Sequence, residues 1–449
     1  MNAIFLAIVV VAVAAAAWRQ FTEVPADGAP SPMELLSDGM ISAAGNSVEL
    51  AIGLVGVMAL FLGLMKVAEA GGLLTIIAKL IRPLMTRLFP DVPAEHPAMG
   101  AMILNLSANA LGLGNAATPF GIRAMQELDR LNAHPGTATN AMALFLAINT
   151  ASITLLPTTV IALRAAAGSS DPAAILPTTL FASICGTIAA IAAAGWLARL
   201  VPVDTGDANR SAIDRDAGTE TPRAAASHVA DPQPDRNPDP AAEALAEASG
   251  AYPLWASLLA LTAMVALIPA TIVWGRAISP WIVPALMLGF LAFGALRGVR
   301  VYEVFVAGAA EGFQVAVRII PYLVAILVAV GMLRASGALE AIVTALAAFT
   351  APFGLPAEAL PMALLRPLSG SGAYGVMASI IQDPAIGPDS YVGMLVSTLQ
   401  GSSETTFYVL AVYFGAVQVR RMRHTVAAAL IADLVAVVAA VAICSALYR

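Results

Sequence analysis

Charge is scarce in this sequence: Asp, Glu, Lys and Arg make up 12% of its 449 residues, against about 25% in an ordinary soluble domain. That deficit, with 59% hydrophobic residues and a mean hydropathy of +0.82, excludes a soluble enzyme and leaves a polytopic membrane protein. Cysteine is nearly missing. Cys185 and Cys444 both lie in apolar runs, cannot build a disulfide framework or a thiolate metal cluster, and read as core residues. Histidine is as sparse: His96, His134, His228 and His424 are scattered without HExxH or HxxxH spacing, so neither a metal ligand set nor a cofactor is expected. Basic excess is absent as well, and a pI near 5.3 argues against a nucleic-acid partner.

The charge that is present is concentrated. Residues 204–250 carry ten acids and four arginines, a net of -6 that equals the net charge of the whole chain. The same stretch has five prolines and no helical or strand periodicity, so it reads as a disordered acidic linker unable to offset its own chain entropy. Four segments follow: an N-terminal membrane helix and loop over 1–46, a first domain over 47–203, the linker over 204–250, and a second domain with leading helices over 251–449.

The apolar run Ala3 to Trp18 has no preceding base, which favours a retained first helix over a cleaved signal. A polar loop is expected from Arg19 to Asn46. Further spans are expected at Val48 to Lys66, Asn140 to Leu163, Ala173 to Leu200, Leu254 to Trp274, Trp281 to Leu296, Val315 to Leu333, Tyr391 to Phe414 and Thr425 to Leu447. Gly72 to Leu88 and Leu339 to Phe349 are too short or too charged to cross alone and suggest re-entrant or partly inserted helices. The basic cluster Arg420, Arg421, Arg423 and His424 would lie in the cytoplasm.

An internal repeat is visible as landmarks in one order. Gly71, Leu73, Ile76 and Leu80 match Gly337, Leu339, Ile342 and Leu346; Leu106-Ser107 matches Leu368-Ser369; Thr150 to Thr154 matches Gly401 to Thr405. Repeats of this size suit carriers, whose sites form from discontinuous helices at the repeat interface. The expected fold is therefore all-α: two related helical repeats in the membrane with broken or re-entrant helices.

Polar residues that hydrocarbon would penalise gather at these landmarks. In the first half they are Asn105, Ser107, Asn109 and Asn115, beside the helix breakers Gly112, Gly114, Pro119 and Gly121, and then Asn149, Thr150 and Ser152. In the second half they are Arg366, Ser369 and Ser371, then Gln400, Ser402, Ser403, Glu404 and Thr405. Glu404 is centred in an apolar stretch, where a carboxylate costs about 2.5–3.5 kcal/mol unless it pairs, protonates or meets an ion or substrate. Two readings stand: Glu404 contacts solute or a coupling ion, or it is locked permanently to Arg366. Glu49, Glu69, Lys66, Lys79, Glu303, Glu311, Arg318, Arg334 and Glu340 read as rim or snorkelling charges. A dinucleotide fold is excluded because no βαβ unit surrounds Gly370-Ser371-Gly372, and no histidine stands near the serines to serve as a catalytic base. The chain is not expected to be an enzyme.

The run from Asn105 to Pro119 resembles the signature of spore maturation protein A, and Arg366 to Gly372 followed by Gln400 to Thr405 resembles spore maturation protein B. The resemblance covers roughly residues 45–200 and 300–449. Both families are placed in the nucleoside-recognition or Gate-domain group, with membrane parts of ferrous iron transporters and similarity to concentrative nucleoside carriers. The resemblance implies a multi-pass protein of the bacterial inner membrane: a permease or secondary transporter for a small polar or anionic metabolite, nucleoside-like solutes included. Its partners would be membrane lipid and the solute, with a proton or sodium as coupling ion and a homo-oligomer left open. The alternative is a non-transporting scaffold for envelope or spore maturation.

Overall fold

In lipid a backbone can satisfy its polar groups only within its own helix or in a closed barrel, and among the described residues the solution is helical. The computed structural model describes residues 2–22, 30–201, 251–350, 352 and 354–448. Among them are sixteen α-helices, two short 3-10 turns, and no strand beyond one isolated bridge between Thr137 and Arg421. The linker expected over 204–250 lies outside the described residues. Among the described residues, four helices are long and apolar enough to cross a membrane: Phe5–Thr22, Pro32–Ala70, Pro172–Leu200 and Thr425–Tyr448.

Helix α1 (Asn2–Thr22) is followed by α2 (Pro32–Ala70), so most of the loop expected from Arg19 to Asn46 is helix. Its start is written locally. Ser31 and Glu34 form a reciprocal capping box, the Glu34 N–H donating to Ser31 Oγ at 3.3 Å and the Ser31 N–H to Glu34 Oε2 at 2.7 Å, with Pro32 preset at the first helical position. Amphipathic α3 (Leu73–Leu88) leads to a helical hairpin, α4 (Pro97–Ala110) and α5 (Gly114–Arg130). The span expected from Asn140 to Leu163 is split into α6 (Asn140–Thr150) and α7 (Thr158–Ala166), and α8 (Leu176–Leu200) closes the first half.

The second half opens with α9 (Leu254–Leu296), one continuous helix where two spans were expected. Gly275, Arg276 and Pro280 interrupt the hydropathy there without ending the helix. The series of the first half then returns. Long α10 (Val301–Ala335) is followed by short α11 (Ala338–Thr350), the hairpin α12 (Leu360–Leu365) and α13 (Gly370–Ile381), the split span α14 (Tyr391–Ser402) and α15 (Thr406–Ala416), and closing α16 (Thr425–Tyr448).

The two series are interlocked head to tail. Helix α2 runs antiparallel to α10, with Gly39 against Ala335, Ala59 against Gly312 and Gly63 against Phe305. A Cβ on Gly312 would stand 2.7 Å from the Ala59 Cα, so small residues set the close approach of these long helices. Helix α8 packs on α16, α6 on α15 and α7 on α14. Each loop that enters a split helix is clasped by the loop that leaves the other one. Between α5 and α6 the Gly136 carbonyl accepts from the N–H groups of Arg420 and Arg421 at 2.9 and 3.0 Å, and the Arg423 guanidinium donates to Ala138 O and Asn140 Oδ1. Between α13 and α14, Asp389 takes the opposite role, bound by Arg164, Ser169 and Ser170 from the end of α7 and the loop after it.

Candidate functional site

The split helices define the site. Each split frees backbone groups, and each bonds to the foot of the preceding hairpin: Leu155 N–H donates to Ala110 O at 2.9 Å, and Phe407 N–H donates to Pro367 O at 3.0 Å. The two splits also touch each other, through Glu404 N–H to Thr150 O at 2.8 Å. Asn109 and Arg366 each immediately precede an accepting carbonyl, so they hold corresponding positions. The repeat is thus registered five residues away from the Leu106-Ser107 match, because Leu106 and Ser107 lie inside α4 whereas Leu368 and Ser369 form the turn before α13. Gly112 is required at the crossing. Its φ is +76°, and a Cβ there would stand 2.6 Å from the Leu156 carbonyl oxygen.

A cavity of about 560 Å³ opens at this crossing, lined by both halves. Of the fifteen residues singled out in the sequence, five line it: Asn109, Arg366, Gln400, Glu404 and Thr405. Arg366 is buried and held by Thr405 Oγ1 at 3.2 Å and by the Ser403 carbonyl. Its ion pair with Glu404 is loose, 3.8 Å between Nη2 and Oε2, beyond hydrogen-bond reach. The Glu404 side chain is 48% exposed toward the cavity it lines, and the buried Gln400 Oε1 has no partner. These are the groups with capacity left for a solute.

Most of the other residues are placed behind this surface. Asn105 donates to Ala117 O at 2.8 Å and Tyr413 Oη at 3.1 Å, tying α4 to α5 and α15. Asn149 accepts from Asn109 Nδ2 at 2.9 Å and donates to Phe145 O. Ser107, Thr150 and Ser402 bond back into their own helices, Ser152 is buried in the first split, and Ser369 caps α13 by accepting from Gly372 N–H. Ser371 is exposed in the first turn of α13; Asn115 lies in the first turn of α5, its side chain outside the described residues. Arg334, read as a rim charge, pairs with Asp383 at 3.2 Å.

Three charges read as snorkelling are part of the site. Lys66 on α2 lies 3.5 Å from Glu69 and 3.2 Å from Glu311 on α10, and all three line the cavity. Only packing α2 on α10 reveals this, because no spacing within one helix brings Lys66 to Glu311. Asp433, buried in the middle of α16, was also missed, although a lone acid in Ala427 to Ala440 is a signal in itself.

Comparison with known proteins agrees with this architecture. The family described as "Gate: Nucleoside recognition" matches residues 51–167 and 316–420. Spore maturation protein A of Bacillus subtilis (strain 168) is 45% identical over 156 residues, 35% of this chain and 80% of that protein. Spore maturation protein B of the same organism is 45% identical over 166 residues, 37% of this chain and 92% of that protein. No solved structure matches.

Proposed function

The chain belongs to the nucleoside-recognition Gate family of spore maturation proteins A and B, a multi-pass bacterial membrane protein, and from that premise we propose that it is a permease for a small polar metabolite. The observation that carries this reading is the cavity where the two split helices cross, contributed by both repeats and large enough for a nucleoside-sized solute. Asn109, Gln400 and Thr405 offer neutral recognition; Arg366 and Glu404 offer charge.

The balance of charge narrows the solute. Lys66 and Arg366 face Glu69, Glu311 and Glu404 in the lining, and Arg366 is already engaged by Ser403, Thr405 and Glu404. A cavity with three carboxylates and two cations suits a neutral or zwitterionic polar solute better than an anion, which would meet uncompensated negative charge. Glu404 is the group that exchanges its loose pairing with Arg366 for a contact with solute.

Thermal unfolding of the purified protein, screened against nucleosides, amino acids, dicarboxylates and inorganic cations, tests this. A neutral or zwitterionic solute is expected to raise Tm, by the equivalent of about 2.7 kcal/mol at a hundredfold excess over Kd. The rise is lost in Glu404→Gln and Gln400→Ala while the fold is kept. A panel in which nothing protects the protein would leave the non-transporting scaffold as the better reading.

A further inference from the structure

Behind Arg366, on the side away from the solute cavity, lies a second polar site that the permease reading does not use. Asp433 is nine residues into the 24-residue apolar helix α16, and 6% exposed. Its Oδ2 accepts from Thr406 Oγ1 at 2.5 Å, while Oδ1 is buried without a partner. Arg366 Nε is also buried without a partner. Both residues line a void of about 10 Å³ with Ser402 and Ser403, space for a single water. An ionised carboxylate at this depth with half its acceptor capacity unused is costly; a protonated one is not.

We propose that Asp433 is a proton-binding site, connected to the solute cavity through Arg366, and that it, rather than Glu404, carries the proton that accompanies transport. The proposal rests on the permease reading only for its last clause. A metal cation is a poorer occupant: it needs about six oxygens, whereas Ser402 Oγ bonds back to Leu399 O, the Ser403 carbonyl is held by Arg366, and the guanidinium would repel it. The groups facing Asp433 are few. Helices α6, α14 and α15, which pack near α16, contain no Asp, Glu, Lys, Arg or His, only the tyrosines Tyr391, Tyr408 and Tyr413, and α8 adds Cys185 and, at its far end, Arg199. Arg366 is therefore the charge that governs the site, with Glu404 on its other side. Arg366 can neutralise one carboxylate fully or two partially, so a proton on Asp433 releases the guanidinium toward Glu404, and loss of that proton draws it back. Thr406 opens α15 two residues after Glu404, which places this exchange at the split itself.

The test is an infrared titration of the full chain in lipid vesicles without solute, following the carbonyl stretch of protonated carboxyl groups across pH. A band is expected that titrates, survives Glu404→Gln, and disappears in Asp433→Asn. If Asp433→Asn fails to fold, Thr406→Val, which removes the hydroxyl donor, is expected to shift the band's frequency and midpoint. A titrating band that vanishes in Glu404→Gln and persists in Asp433→Asn, one that Thr406→Val leaves unmoved, or no titrating band at all, would overturn the proposal. Because no solute is present, this result is independent of whether the thermal screen finds one.

Discussion

Asn109 and Arg366 stand at corresponding places in the two repeats, each just before the carbonyl that anchors a split helix, yet one is a neutral amide and the other a buried cation. The first repeat turns most of its polar groups inward: Asn105, Ser107, Asn149 and Thr150 all bond to neighbouring protein groups. The second leaves Gln400 and Glu404 facing the cavity and backs them with Asp433. At the split helices themselves the first repeat thus spends its polar groups mostly on packing and the second leaves more of them open, while Lys66 and Glu69 of α2 still lend the first half's charge to the cavity. The polar residues of a membrane repeat cannot all be assigned to solute binding from their composition alone.

The sharpest test of that asymmetry is a pair of alanine variants. Arg366→Ala removes the charged donor to Thr405 and the Ser403 carbonyl and the cation beside Glu404, and is expected to cost about 2–3 kcal/mol; Asn109→Ala loses one hydrogen bond to Asn149 and should cost about 1 kcal/mol. Thermal unfolding in detergent reads both, and equal losses would erase the distinction. The hairpin glycines give a smaller contrast. Gly112→Ala forces a side chain into a left-handed conformation against the Leu156 carbonyl and should cost about 2 kcal/mol or more. Gly370→Ala meets the Thr405 hydroxyl at 2.7 Å, a side chain that can turn aside by giving up its bond from Arg366, and should cost about 1 kcal/mol.

The two clasps should separate by pH. Asp389 is partly buried, which alone would raise its pKa, but the hydrogen bonds from Ser169 and Ser170 and the Arg164 charge outweigh burial and hold it below the usual carboxylate range. Its contribution is therefore full above about pH 3.9 and is lost as pH falls through its lower folded-state value. His424, at the foot of α16, is pushed below the usual imidazole value by burial first and by Arg423 second. The folded state disfavours the imidazolium more than the unfolded chain does, so stability is full above about pH 6.5 and falls as pH drops from there toward its lower folded-state value. Hydrogen exchange should show loops 131–139 and 417–424 loosening at mildly acid pH, before loops 167–171 and 382–390. Loosening in the reverse order would contradict these assignments.

Much of this was legible in the sequence. The polar clusters Asn149 to Ser152 and Gln400 to Thr405 were visible, but Asn140 to Leu163 and Tyr391 to Phe414 each read as one span because their flanks are apolar throughout, and the structure splits both. The capping box at Ser31 and Glu34 marks the start of α2, but a polar composition from Arg19 to Asn46 reads as loop when hydropathy is weighed alone. The site was recoverable only in part, for a physical reason. Whether an amide faces a cavity or a neighbouring carbonyl is decided by how helices pack, and Lys66, Glu69 and Glu311 meet only because α2 and α10 run antiparallel.

The central claim is that the crossing of the split helices is an aqueous passage between the repeats. Single cysteines, introduced after replacing Cys185 and Cys444 and probed in membrane vesicles with an impermeant thiol reagent, test it most directly. Glu404→Cys and Gln400→Cys should react from solution, whereas Asn105→Cys and Ser402→Cys should not. Protection of all four positions from both sides of the membrane would mean a dry, sealed seam, and the account would fail.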